Sequence, residues 1–192
     1  MTAHEPSVGQ TFAQALVAMS FVGAMFLMSM GLSGLLAIGA SELVGKPFVA
    51  GDLPGVTYTV ERCSDYFEYH PEAVNCAEAA ADHHYDELVG NRLTEGVLGL
   101  VLLVSWWLAR STFRGRLGRE VVPPSFEPTA CAALFTASAI LLGGPGTIQL
   151  LVVGTAGGAG ALLSTALVSA MAAVAFWAVL IRRLREQGRL LV

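Results

Sequence analysis

The chain has 192 residues, of which 54% are hydrophobic and only 14% charged, with a formal net charge of −4. Such proportions exclude an ordinary water-soluble globule and match a membrane composition, and the length suits one domain. The charge is also segregated: eleven of the fifteen acids lie between Glu42 and Glu95, with only Lys46, Arg62 and Arg92 among them.

No charged residue occurs from Pro6 to Ser41, and roughly 20 apolar residues already cross a ~30 Å hydrocarbon layer. Residues 1–10 lack the basic start of a secretory signal, so this stretch reads as a retained first span over about 12–44. At ~1.5 Å per residue that helix is ~50 Å long and must tilt, bend or project, with Gly31 and Gly34 the expected bend. Met19, Met25, Met28 and Met30 read as adaptable packing residues.

Residues 45–59 carry the turn signals Gly-Lys-Pro and Leu-Pro-Gly, with a β-prone patch at Val56 to Val60 that allows one small hairpin. Cys63 and Cys76 follow, and Pro71 and Glu72 suit the first turn of a helix running without a breaker to Gly90 and beyond. In the second span, 88–109, only Gly96 to Ala109 is uncharged, fourteen residues or ~21 Å as a helix. To cross, it must draw Arg92 and Glu95 toward the outer boundary, where they pair three residues apart. Trp106 and Trp107 mark the opposite interface.

A third span over 129–153 meets Gly143-Gly144-Pro145-Gly146, which leaves two readings: an end near Gly143, or a kinked helix continuing to Val153. The fourth span covers 157–181, and Gly157, Ala161, Thr165, Ser169 and Ala173 recur every fourth residue as a small-residue ridge for close helix packing. The stretches GGPG and GTAGGAG lack the lysine of a phosphate cradle and read as turn and helix packing.

Arg110, Arg114, Arg116 and Arg119 follow the second span, and Arg182, Arg183, Arg185 and Arg189 follow the fourth. Arginine in short loops stays cytoplasmic, so the loop 110–128, the tail 182–192 and both termini are expected inside the cell membrane and the acidic cap 45–87 outside. An arginine-rich, alanine-rich and glycine-rich usage hints at a bacterial source. The arginines are explained by topology and anionic lipid contact rather than by nucleic acid.

On the outer, oxidising side Cys63 and Cys76 are expected to form a disulfide, while Cys131 reads as a buried small residue. The candidate metal or proton site is His70, His83, His84, Glu87 and Glu95: His83 and Glu87 share a helix face, as do Asp82 and Asp86. A solvated acidic helix face is the competing interpretation. Ionisable groups at membrane depth are functional candidates by default, but Arg92 and Glu95 lie at the outer boundary, where water reaches them, and are expected as a structural ion pair. No motif implies a cofactor or identifies a catalytic residue.

Four spans with cytoplasmic ends and a disulfide-bearing first outer segment resemble, in topology, the claudin and peripheral-myelin type of tetraspan protein. The tryptophan-containing signature that precedes the cysteines there is absent, since the first tryptophan is Trp106, and the resemblance implies no function. The expected fold is therefore an all-α integral membrane protein of four transmembrane helices with a small disulfide-linked extracytoplasmic cap between helices 1 and 2. Its expected role is accessory, structural or interactive, with the lipid bilayer, a membrane-protein partner or its own copies. The alternative is a small membrane enzyme or transporter with its site at the outer boundary.

Overall fold

A computed structural model describes residues 8–51, 60–117 and 126–186. The described residues form helices α1 (Val8–Val44), α2 (Lys46–Ala50), α3 (Val60–Tyr69), α4 (Cys76–Leu117), α5 (Phe126–Val153) and α6 (Ala159–Glu186), with a 3-10 turn at Gly154–Ala156 between the last two. No strand occurs among them; Val60 opens α3, and the rest of the expected hairpin lies outside the described residues. Among the described residues four helices are long and apolar enough to cross a membrane, over Ala15–Val44, Cys76–Thr112, Phe126–Val153 and Ala159–Glu186.

The four long helices make two antiparallel pairs, α1 with α4 and α5 with α6, and α1 joins the pairs by packing on α6 and α5. Glycine decides the first seam. A Cβ on Gly31 would lie 2.4 Å from the Gly96 Cα, one on Gly34 would meet the Arg92 Cβ at 2.7 Å, and one on Gly99 would lie 2.6 Å from the Met28 nitrogen. Gly31 and Gly34, expected to bend α1, instead sit in an uninterrupted helix and let α4 approach backbone to backbone.

Between the pairs, the buried Thr165 hydroxyl of α6 donates to Ser33 Oγ of α1 at 3.2 Å, and Ser169 and Ala173 are buried on the same face. Gly157 lies outside this ridge, because α6 begins only at Ala159; its carbonyl accepts a bond from Gln149 Nε2 instead. Phe135, with no exposed surface, stacks on Phe176 at 5.9 Å and closes the apolar core around Cys131, Phe21 and Met25.

Of the two readings at Gly143–Gly146, the continuous helix is the one observed: α5 runs through Pro145 to Val153. Proline removes one backbone donor, yet the turn is held from outside. Gly146 is buried against Leu162 and Leu163, Gly143 faces Ala166, and the Thr147 hydroxyl donates to the Gly143 carbonyl at 2.7 Å. The glycines are a notch for α6 rather than a turn.

At one end of the bundle α2 lies across the start of α6. Gly158 (φ +73°) and Gly51 (φ +83°) meet there with almost no room for a Cβ on Gly158, and the Gly158 N–H donates to the Pro47 carbonyl at 3.2 Å. The long cap helix starts five residues later than Pro71. Pro71 and Glu72 form a turn, and Asn75 caps α4 by accepting the Glu78 N–H at 3.0 Å while Glu78 reaches back to the Val74 N–H at 2.8 Å. This reciprocal cap satisfies free donors that the proline start would leave exposed. The Cys63–Cys76 disulfide, Cα to Cα 5.5 Å, staples α3 to that start.

Candidate functional site

A cluster of titratable side chains lies where α3 and α4 double back on each other at the cap. His70 directly follows α3, its N–H donating to the Tyr66 carbonyl at 2.9 Å, and only 8% of the residue is exposed. Its Nδ1 faces Glu72 Oε1 at 3.7 Å and its Nε2 faces Asp86 Oδ2 at 3.8 Å. His70, Glu72 and Asp82 each offer one ligand atom, all within 4.8 Å of one another. A single imidazole among three carboxylates suits a proton or a divalent cation.

Asp82 already has a cation. Its Oδ1 accepts Lys46 Nζ from α2 at 2.7 Å, and the same ammonium stands 5.6 Å from the Tyr85 ring centre. The hydrogen bond to Asp82 raises the Lys46 pKa above its ordinary 10.5, with desolvation opposing and the charges of Asp82 and Asp86 assisting. Tyr85, buried beneath, shares a 2.7 Å hydrogen bond with Ser41 of α1, which ties the cap to the bundle.

His83 joins this cluster through its ring, 5.4 Å from both Tyr66 and Tyr69 and edge-on to His70 at 5.9 Å. His84 and Glu87 are exposed. Glu95 lies more than two turns further along α4, with Oε2 3.6 Å from Arg92 Nη1 and without a hydrogen-bond partner among the described residues. Arg92 donates to Met30 Sδ of α1. Of the five residues expected together, the fold gathers His70 and His83, while Glu72, Asp82 and Asp86 supply the carboxylates. Helix periodicity alone pairs His83 with Glu87; the hairpin brings in His70, a contact no local spacing encodes.

Two other features were not legible as sites. An apolar groove of about 640 Å³ separates α4 from the α5–α6 pair, with α1 as its floor; Met25, Met28 and Gly31 line it from α1, Val97 and Leu100 from α4, and Met171 from α6. At the opposite end from the cap, Glu127 of α5 is buried and accepts Arg110 Nη1 at 2.6 Å and Trp106 Nε1 at 3.3 Å, both from α4. In the sequence Glu127 is merely the residue before a helix-stopping proline; its one signal is an acid beside arginines at the end of an apolar helix.

The chain matches no protein-family model, no curated protein and no solved structure.

Proposed function

We propose that this is a multi-pass cell-membrane protein, with its acidic cap outside and its arginine-rich ends in the cytoplasm, whose role is to hold a transmembrane helix of a second protein in the groove beside α4. The lateral groove carries this reading. Three methionines, Met25, Met28 and Met171, give it an adaptable lining, and the small side chains of Ser29 and Ala172 leave room for another helix to come close. No charged residue lines it among the described residues. Support for insertion comes from the lipid-like exterior of α4, where Val97 is 63% and Val101 57% exposed, and support for orientation from the arginines at the end away from the cap.

The test is photo-crosslinking in native membranes from single positions. A reactive residue at Val97 or Met171 is expected to give one discrete adduct heavier than the chain, and one at the exposed Leu141 of α5 none. Equal labelling at Leu141, or no adduct at all, overturns the groove as a docking site. An adduct at twice the mass of the chain overturns the second protein in favour of self-association. Release of the chain by carbonate washing overturns insertion itself.

A second reading is favoured by one observation, the buried His70 with Glu72 and Asp82 within ligand reach. Here the cap binds a divalent cation, which displaces Lys46 from Asp82. Zinc titrated into the purified protein should then bind in a His70-dependent way; equal uptake by His70→Ala excludes it.

A further inference from the structure

Two of the candidate ligands in the cap lie inside a covalently closed loop. His70 and Glu72 fall between Cys63 and Cys76, while Asp82 stands six residues beyond Cys76 on α4. The disulfide therefore joins the segment that carries the imidazole and one carboxylate to the helix that carries the other carboxylate.

The imidazole is suited to a further ligand. Only 10% of the His70 side chain is exposed, and neither ring nitrogen has a hydrogen bond among the described residues; they face Glu72 at 3.7 Å and Asp86 at 3.8 Å. The ligand atoms of His70, Glu72 and Asp82 lie within 4.8 Å of one another. A bound zinc draws such atoms to ~2.0–2.2 Å from itself, and Glu72, 71% exposed on its turn, is free to make that movement. With one nitrogen on the metal, the other keeps a carboxylate that orients the ring. An imidazole with two carboxylates suits zinc better than calcium or magnesium, which take oxygen ligands.

Little but α4 holds the segment in place. At ten residues α3 is too short to persist as an isolated helix in water, and its main partner is α4. Beside the disulfide, the contacts are the rings of Tyr66, Tyr69 and His70 against that of His83.

We infer that the Cys63–Cys76 disulfide sets the affinity of the cap for a zinc-class ion, by holding His70 and Glu72 against Asp82. The inference rests on the cap binding a divalent cation. A ligand set assembled for only part of the time binds in proportion to that fraction, and binding in turn folds the segment that carries the ligands. Lys46 must leave Asp82 with or without the disulfide, so its cost cancels between the two forms.

The experiment uses the full chain in nanodiscs and zinc alone as the probe, with Cys63→Ser and Cys76→Ser made together. Serine is chosen because two free thiols would themselves ligate zinc. Competition with a chromophoric chelator measures binding, and amide exchange measures the docking of α3. The parent is expected to take up zinc, His70→Ala to lose it, and Glu72→Gln, altered at an exposed side chain, to bind more weakly. The double serine variant should bind about 100-fold more weakly than the parent, the factor that a loop of this size confers. Saturating zinc should return its α3 amides to parental protection, and should fail to do so once His70→Ala is added. Equal affinity in the parent and the double serine variant overturns the inference and leaves the cation standing. Weaker binding without recovered protection also overturns it, because the lost affinity then reports damage that the ligand cannot repair. No zinc uptake by the parent overturns the cation and the inference together.

Discussion

Replacing Gly96 with alanine puts a methyl group where α1 already stands. The new Cβ would lie 2.8 Å from the Gly31 Cα, about 1 Å inside the ordinary ~3.5–4.0 Å separation of carbon atoms. The obstructing atom is backbone, so no rotamer change relieves the clash; α1 and α4 must part or slide. Parting loosens the neighbouring contacts as well, Gly34 against Arg92 and Gly99 against Met28. Overpacking of a tight core typically costs ~1–3 kcal/mol, and about 2 kcal/mol is a ~30-fold loss in the ratio of folded to unfolded protein. Reversible unfolding in mixed micelles, followed by circular dichroism, measures it. Gly23→Ala and Gly39→Ala are the controls, since a Cβ at either meets nothing within 4 Å, and each should be neutral or slightly stabilising. Gly31→Ala combined with Gly96→Ala should destabilise by less than the sum of the two, because helices parted for one methyl already admit much of the other. If Gly96→Ala unfolds together with Gly23→Ala, the account of the seam as backbone contact is refuted.

The disulfide should act locally. Cys63→Ser opens a loop of sequence separation 13, removing about 3 kcal/mol in the chain-entropy treatment, so amide exchange in α3 should accelerate ~100-fold while the long helices keep their protection; unchanged exchange in α3 would contradict the staple. Lys46, with a raised folded-state pKa, contributes stability that is complete below about pH 10.5 and disappears as pH rises through the raised value. The difference in cap proteolysis between the parent and Lys46→Met should accordingly vanish above that window, and its persistence there would exclude the Asp82 contact as its source. Glu127→Gln strips the anion from a largely buried guanidinium and should destabilise the bundle by about 3 kcal/mol, partly recovered by adding Arg110→Gln. The exposed pair Arg182–Glu186, with side chains 82% and 62% exposed, should register under ~1 kcal/mol in the same melt; equal losses at both pairs would show that burial of Glu127 has no consequence.

The disulfide was legible from a pair of cysteines in the segment expected on the oxidising side, and the Arg92–Glu95 approach from their three-residue spacing on a helix. The cap cluster was legible only as a region. DHHYDE announces acids and histidines on a helix, but which of them face inward depends on α3 folding back, so Glu72, Asp82 and Asp86 around His70 could not be selected from periodicity. The start of α4 was misplaced for a different reason: Pro71 satisfies one rule for a first helical turn, while Asn75 and Glu78 satisfy two donors together, and the stronger cap wins.

Length, hydropathy and the absence of charge over long runs determined by themselves that this chain forms four helices able to cross a membrane, because backbone satisfaction in hydrocarbon depends only on neighbours within a helix. Tertiary structure alone decided what glycine and proline mean here. Gly31 and Gly96 are a crossing point rather than a hinge, and Gly143 to Gly146 continue a helix rather than end one, because partners 65 and 16 residues away occupy the space a side chain would take. The same holds for Glu127, whose burial follows from α4 lying beside α5. A rule that looks three or four residues along the chain registers none of these contacts.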